Sequence, residues 1–287
     1  MKVLSLFDGI SCGMVALERA GIQVERYVAY EIDPYAITIS SKNYPQIEHC
    51  GDVTIADFTK YRDFDLLIGG SPCQSLSITQ SKTRKNLDGK SKLFFEFVRA
   101  KEEMQPRWFL FENVESMNKE SKQIISEYLG CEPIFINSSD FSAQSRPRLY
   151  WTNIPVNMNY QISSIVLGDV LESNVHEKYF YNCSFDFYGL DKTVCANLHI
   201  NGHDILKRVN SPYAKCQTLT CVSGGSQQKK VYDNGRCRKL TPNEYRKLQT
   251  IPEWYKMNVA DSHIYNMCGD GWTISTVCHI FSFLPYK

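Results

Sequence analysis

In the stretch DFDLLIGGSPCQSLS, residues 63–77, the apolar run Leu66–Ile68 reads as a buried strand, and Gly69-Gly70-Ser71-Pro72 delivers Cys73 at its mouth. Such strand ends are where open α/β sheets place their ligands. A thiol held there is a core filler, a metal ligand or, if accessible and partly ionised, a nucleophile. A second apolar run ends in FENV with Glu112, where a carboxyl group can move a proton or form one half of an ion pair. QSRPR supplies Arg146 and Arg148, two residues apart, so that on a strand both would point to one side. Their planar, permanently charged forks suit bidentate binding, and Arg146 is also suited to support structure or hold a phosphate.

A second constellation lies at the first turn. VLSLF is followed by FDGISCG, with Gly9 and Gly13 ahead of a helix. Glycines there let a ligand approach the backbone, and the helix start offers free N–H groups. The pattern is not G-x-G-x-x-G. Glu31 ends the second strand, 22 residues after Gly9, where Rossmann-like folds bind ribose hydroxyls, and Asp52 in GDV falls on the same sheet edge. Together these point to a nucleoside cofactor, with turn glycines and surface acids as the plain alternative.

The elements that must position these groups alternate. Strands are expected at 2–7, 26–32, 65–70, 107–114, 132–139 and 148–154, and helices at 13–21, 34–44, 91–104 and 121–129. Strands separated by helix-length patterns argue for parallel β-α-β units with right-handed crossovers. The sequence therefore predicts an α/β fold: a Rossmann-like domain over 1–168, its mostly parallel sheet covered by helices on both faces. From 169 to 257 the chain turns rich in Asn, Ser, Gly and Tyr, with strand-like KYFYN and QTLTCV, and reads as a small irregular domain. Residues 258–287 read as a segment returning to the first domain, with helical spacing after Gly271.

Composition narrows the classes. With 287 residues, 43% of them hydrophobic, the chain can bury a large core, and a net charge of +1 gives no global basic field. A nucleic-acid partner would be held by local patches. Asp8 interrupts the apolar start too soon for an export signal, and no apolar run reaches membrane-spanning length, so a cytoplasmic protein is expected. Eleven cysteines without a C-x-x-C pair argue for reduced thiols rather than disulfides or zinc. Cys195, His199, His203, Cys216 and Cys221 read better as scattered residues than as a metal site. Basic clusters do occur: Lys82, Arg84 and Lys85 after Cys73, and Lys229, Lys230, Arg236 and Arg238 later. Between residues 217 and 228, Ser and Gln side chains such as Gln227 could read base edges. No heptad seam is visible, and a monomer is expected.

FDGISCG, GGSPCQSLS, FENV, QSRPRLYW, RKLTPNEYRKLQTIP and GDGWT follow one another in this order. The series resembles the motifs of the DNA cytosine-5 methyltransferases from residue 3 to about 281, leaving only 172–212 without a family signature. VLSLFDGI, IGGSPC and LFFEF are especially similar to the catalytic domain of the animal de novo enzymes, while the short chain suits a bacterial or phage enzyme. The resemblance implies a class I methyltransferase fold with a target-recognition domain, S-adenosylmethionine as cofactor, double-stranded DNA as partner, and a cognate restriction endonuclease where the enzyme belongs to such a system. It makes Cys73 the nucleophile, Glu112 the acid near the base, and Arg146 and Arg148 the groups that hold the nucleotide. It assigns Phe7 to the adenine, the Gly9–Gly13 turn with Asp8, Ile10, Ser11 and Cys12 to the methionine part, Glu31 to the ribose, and Ile32, Asp52 and Val53 to the adenine's flanks. Pro72, Trp272 and Thr273 complete that pocket. Cys12 stands where many relatives have glycine, and Asp270 where many have asparagine. A tRNA cytosine methyltransferase is the nearest alternative, but its Cys-Phe-Thr motif is absent. A non-catalytic relative would not need Cys73, Glu112 and both arginines, and no histidine motif accompanies Cys73 as a thiol hydrolase would require.

Overall fold

The computed structural model describes residues 1–72, 93–222 and 226–285. The chain divides into two compact units: Met1–Ile136 with Pro147–Asn159 and Val277–Lys287, and Asn137–Arg146 with Tyr160–Thr276. Both are discontinuous in sequence, where the sequence pattern suggests single breaks near 168 and 257.

The first unit runs β1 (Lys2–Leu6), α1 (Cys12–Arg19), β2 (Arg26–Tyr30), α2 (Pro34–Asn43), β3 (Glu48–His49), β4 (Leu66–Gly69), α3 (Phe94–Met104), β5 (Trp108–Val114), α4 (Lys119–Leu129), β6 (Ile134–Asn137) and β7 (Pro147–Thr152). Its sheet has the order β3-β2-β1-β4-β5-β7-β6. The first five strands are parallel and β7 is antiparallel to β5. Strands buried on both faces carry near-continuous apolar runs, as β1 and β4 do. β1 pairs with β2 on one side and β4 on the other, so the chain order reverses at β1, where α/β sheets open a crevice. Gly69 belongs to this seam: a Cβ there would lie 2.8 Å from the Leu6 carbonyl oxygen and 3.1 Å from Phe97 Cδ2. On one face the rings of Phe94 and Phe97 on α3 pack against Phe111 at 5.2 and 4.9 Å, and Phe111 against Trp151 at 6.0 Å.

Local chemistry sets the helix ends. Asp33 accepts from the Tyr35 N–H at 2.8 Å with Pro34 in the first turn, and Asn118 accepts from the Ser121 N–H at 2.7 Å.

The second unit holds β8 (Phe185–Phe187), β9 (Val194–Leu198), α5 (Asp204–Lys207), β10 (Arg208–Asn210), β11 (Lys230–Asp233), β12 (Arg236–Lys239), α6 (Pro242–Leu248) and α7 (Asp261–Asp270), with α8 (Ile274–Phe281) following. Its sheet is ordered β12-β11-β10-β9-β8, parallel between β10 and β11 and otherwise antiparallel. One of its buried clusters is small, Cys195, Ala196, Leu198, Val209 and Cys237, while Tyr245, Leu248, Ile251, Tyr255 and Tyr265 are buried around α6 and α7. KYFYN, expected as a strand, holds a single 3₁₀ turn and one bridge from Phe180 to Arg238, and residues 217–222 form no strand. The helix expected after Gly271 is α8, and α7 ahead of Gly271 is one that the sequence pattern does not indicate. None of the described helices is long and apolar enough to cross a membrane.

Candidate active site

The turn after β1 is built from three residues in the left-handed region, Phe7 (φ 58°), Gly9 (φ 58°) and Ser11 (φ 54°). Two of these are not glycine, a strain that persists only where surroundings impose it. The Asp8 N–H donates to the Tyr30 carbonyl at 3.2 Å and the Ser11 N–H to the Asp8 carbonyl at 3.1 Å, so the turn is laced to β2. Asp8 accepts hydrogen bonds from the Ser11 hydroxyl and, at 2.7 Å, from the Tyr27 hydroxyl. Loss of hydration by burial pushes the Asp8 carboxyl up to about 6 despite these donors. Ile10, Ser11, Cys12 and Gly13 are buried in the turn and the start of α1.

Glu31 stands at the end of β2 as the sequence predicts, and its two oxygens organise the edge. One accepts from the Gly9 N–H at 2.7 Å, the other from the Ile32 and Asp33 N–H groups at 2.8 Å each. Space is open where a Gly9 side chain would be. The Ile32 side chain is 74% exposed, an apolar surface left at a polar edge. Asp52 is exposed and caps the next turn, accepting from the Thr54 N–H and hydroxyl at 2.8 and 2.9 Å, which hold it below the usual carboxylate range. Val53 beside it is buried. Arg99, which the motifs do not single out, fixes this turn from α3: it donates to the Val53 and Ala56 carbonyls at 3.1 and 2.8 Å and lies 4.4 Å over the Phe58 ring. Its sequence signal is faint, a pairing on α3 with Glu96 and Glu103.

Around the end of β5 the second constellation assembles. Arg148 Nε lies 2.7 Å from Glu112 Oε1, with both side chains nearly buried. The antiparallel register brings them together, Val114 facing Arg148 and Glu112 facing Tyr150. The next residue, Asn113, donates from Nδ2 to the Ser71 carbonyl at 3.3 Å, tying β5 to the segment that leads into Cys73. Pro72 is half-buried there. Cys73 itself, with Lys82, Arg84 and Lys85, lies outside the described residues.

Arg146 lies just before β7, which begins at Pro147. The buried Arg146 guanidinium donates to the carbonyls of Leu219 at 2.9 Å, Gly269 at 2.8 Å and Gly271 at 3.0 Å within the second unit. It clamps the GDGWT stretch. Thr273 is buried with its hydroxyl on Gln249 Oε1 at 2.7 Å, and Trp272 is half-buried. Gly269 is required by close approach, since a Cβ there would meet Cys221 N at 2.5 Å.

The basic residues expected to face DNA divide. Arg236 is exposed, donating to Glu177 at 3.0 Å and lying 4.2 Å over the Phe180 ring. Gln227 and Lys229 are half-buried, and burial holds the Lys229 ammonium below its ordinary value. Arg238 and Lys230 are interior and cannot face a duplex. Arg238 donates to Asp233 at 2.5 Å and through both terminal nitrogens to Glu244 at 2.8 Å. Glu244 also closes the capping box with Thr241 that the sequence indicates. Elsewhere, Cys195 lies in the small core and His199 pairs with Asp186 at 3.0 Å. Among the described residues no three His, Cys, Asp or Glu groups converge on a metal-sized site.

The model of the family described as C-5 cytosine-specific DNA methylase matches residues 1–284. An orphan methyltransferase of Bacillus phage rho11s is 36% identical over 167 residues, covering 52% of this chain and 32% of the phage protein. In that protein and in a second phage relative, from Bacillus phage SPR, this chain spans only about a third of the length. The type II methyltransferase M.NlaX of Neisseria lactamica is 27% identical over 292 residues, covering 94% of this chain and 91% of that one. Among solved structures, the Entamoeba histolytica methyltransferase EhMeth superposes with a TM-score of 0.78 at 16% identity over 99% and 97% of the two chains. The S. pombe Dnmt2 methyltransferase gives 0.69 at 18% over 98% and 97%. At these identities the structural likeness establishes the shared fold. S-adenosylmethionine is the cofactor such a fold and family imply, and the first-turn residues fit it. The open space at Gly9, the Glu31 carboxylate and the exposed Ile32 and Asp52 offer backbone approach, hydroxyl acceptors and an apolar flank for a base.

Proposed function

Because the chain belongs to the C-5 cytosine-specific DNA methylase family, we propose that it transfers a methyl group from S-adenosylmethionine to carbon 5 of a cytosine turned out of a short duplex site, through addition of Cys73 to carbon 6 assisted by Glu112 and Arg148. The observation that supports this most is the nearly buried Arg148–Glu112 pair at 2.7 Å, one residue along β5 from Asn113, which donates to the Ser71 carbonyl at 3.3 Å. Carbon 5 of cytosine is a poor nucleophile. A thiolate bonded to carbon 6 turns the ring into an enamine whose carbon 5 attacks an electrophilic carbon. Negative charge then builds toward N3, where Glu112 donates a hydrogen bond or proton, and Arg148 fixes the carboxyl group's orientation. The bound cofactor supplies the electrophilic methyl on a positively charged sulfur. Loss of the carbon-5 proton and cleavage of the C6–S bond then return the thiolate and release 5-methylcytosine. None of this is possible in a stacked base, so the cytosine must leave the duplex.

On this reading Glu31, Ile32, Asp52 and the Phe7–Gly13 turn hold the cofactor. Lys82, Arg84, Lys85, Gln227, Lys229 and Arg236 hold or read double-stranded DNA, with a marked salt dependence. Arg146, Thr273 and Arg238 maintain the frame.

The test is methyl transfer from labelled S-adenosylmethionine to unmodified duplex DNA, mapped by bisulfite sequencing, with Cys73→Ser and a tRNA substrate run in parallel. Site-specific 5-methylcytosine that disappears in the variant is expected. Label entering only tRNA would reassign the substrate, and unchanged transfer by Cys73→Ser would refute the covalent route.

A further inference from the structure

Lys230 opens β11 and is 1% exposed. Its Nζ donates to the main-chain carbonyls of Ser226 at 2.6 Å and Gln228 at 3.0 Å. The stem of the residue is fixed in turn, because its own carbonyl accepts from Asn210 Nδ2 at 2.8 Å on the neighbouring strand. One ammonium thus grips the chain on either side of Gln227.

Beyond these two carbonyls and an aromatic ring, little around this ammonium favours its charge. Among the described residues no carboxylate pairs with it. The groups that face it are Lys229 just before β11, Lys239 on β12, and the ring of Tyr181, whose centroid lies 5.7 Å from Lys230 Nζ and 5.6 Å from Lys239 Nζ. Burial, then the two like charges, push the Lys230 ammonium down to about 8. A folded value below the ordinary one means that the charge costs stability at neutral pH and that the cost is relieved as pH rises from about 8 toward 10.5. An apolar side chain of similar volume would serve the fold better. What the lysine supplies that a methionine cannot is the pair of charge-assisted bonds to the loop.

We infer that Lys230 is a positioning residue for sequence recognition: by tying the Ser226 and Gln228 carbonyls together it fixes how the segment around Gln227 meets the edges of the DNA bases. This rests on the reading of the chain as a sequence-selective DNA methyltransferase whose recognition segment includes residues 226–228. The selectivity is lost when the ammonium is removed or neutralised, while the methyl-transfer chemistry in the other unit keeps its residues.

The experiment compares wild type with Lys230→Met on duplexes carrying the methylated sequence found by bisulfite mapping and on duplexes differing by one base pair. The discrimination ratio of kcat/KM values is expected to fall about tenfold or more, the worth of one base contact, with the melting midpoint unchanged or raised. Discrimination kept within about twofold, less than such a contact is worth, would overturn the inference. Should the variant fail to fold, the wild-type ratio measured from pH 7 to 9 decides. It is expected to fall as pH passes about 8, and a flat profile refutes the role, since chemistry common to both duplexes cancels in the ratio. A wild-type protein that modifies no DNA, or modifies it without selectivity, overturns the functional reading itself, and that outcome is visible before any variant is compared.

Discussion

In the first unit the informative charges stand at strand ends: Glu31 after β2, Asp52 after β3, and Glu112 near the end of β5 against Arg148. In the second unit they lie inside, with Arg238 fully buried between Asp233 and Glu244 and Lys230 buried against two carbonyls. The difference follows from architecture. A parallel sheet covered by large apolar side chains is stabilised by its core and leaves backbone N–H groups unspent at its carboxyl edge, where acids collect. In the second unit the cluster under the mixed sheet holds five small or medium buried side chains, and ion pairs and loop clamps complete that part of the interior. On the proposed function, charge does chemistry in one region and holds geometry in the other.

The contrast is sharpest when one ion pair from each region is broken. Glu112→Gln should reduce turnover by about 10²–10⁴-fold, the usual worth of a positioned acid, and leave the melting midpoint nearly unchanged. Arg238→Ala should do the reverse. It leaves Glu244 buried, and Asp233 half-buried, without their cation, which costs about 3–5 kcal/mol and lowers the melting midpoint by roughly 10 °C. Kinetics and thermal melts on both proteins check this. A melt lowered by Glu112→Gln as much as by Arg238→Ala would dissolve the distinction between the two regions.

A smaller effect tests the frame itself. Gly269→Ala pushes a methyl group to 2.5 Å from Cys221 N on a neighbouring main chain that cannot swing aside. About 1–3 kcal/mol of destabilisation is expected, visible in urea titration, with the site's cofactor affinity retained if Arg146 still clamps Gly271. A neutral outcome would mean that the 219–222 segment yields easily.

The same architecture explains what the sequence could and could not disclose. Periodicity and glycine turns located β1, β2, β4, β5 and the helices between them, because each is a local pattern buried by its neighbours. Glu31 and Glu112 were legible for the same reason: a strand end is a local event. The partners of Arg146 are not, since the carbonyls it reaches are brought in by chain folding, 73 to 125 residues away; those of Arg238 and Lys230 lie two to six residues off along the chain, but no local pattern says that these side chains turn inward. A run of lysines and arginines looks the same whether it faces water or a buried glutamate. Arg99 acts on main-chain carbonyls of another element, which no side-chain motif encodes.

The subtlest prediction separates charge held for ligand binding from charge held for the fold within the first unit. Asp8 is pushed up to about 6 by burial, against an ordinary 3.8. Between those values the folded protein binds the proton and the unfolded chain has released it, so this group's contribution to stability is complete at low pH and is lost as pH rises through about 6. Asp8→Asn removes the titration while keeping an acceptor for Tyr27 or Ser11. The difference in unfolding free energy between wild type and variant, followed by urea titration from pH 4 to 7, should move steadily in the variant's favour. Parallel curves would show that Asp8 remains hydrated, and its carboxylate would then belong with Asp52 among the open acids of the cofactor edge rather than with the buried groups beneath the turn.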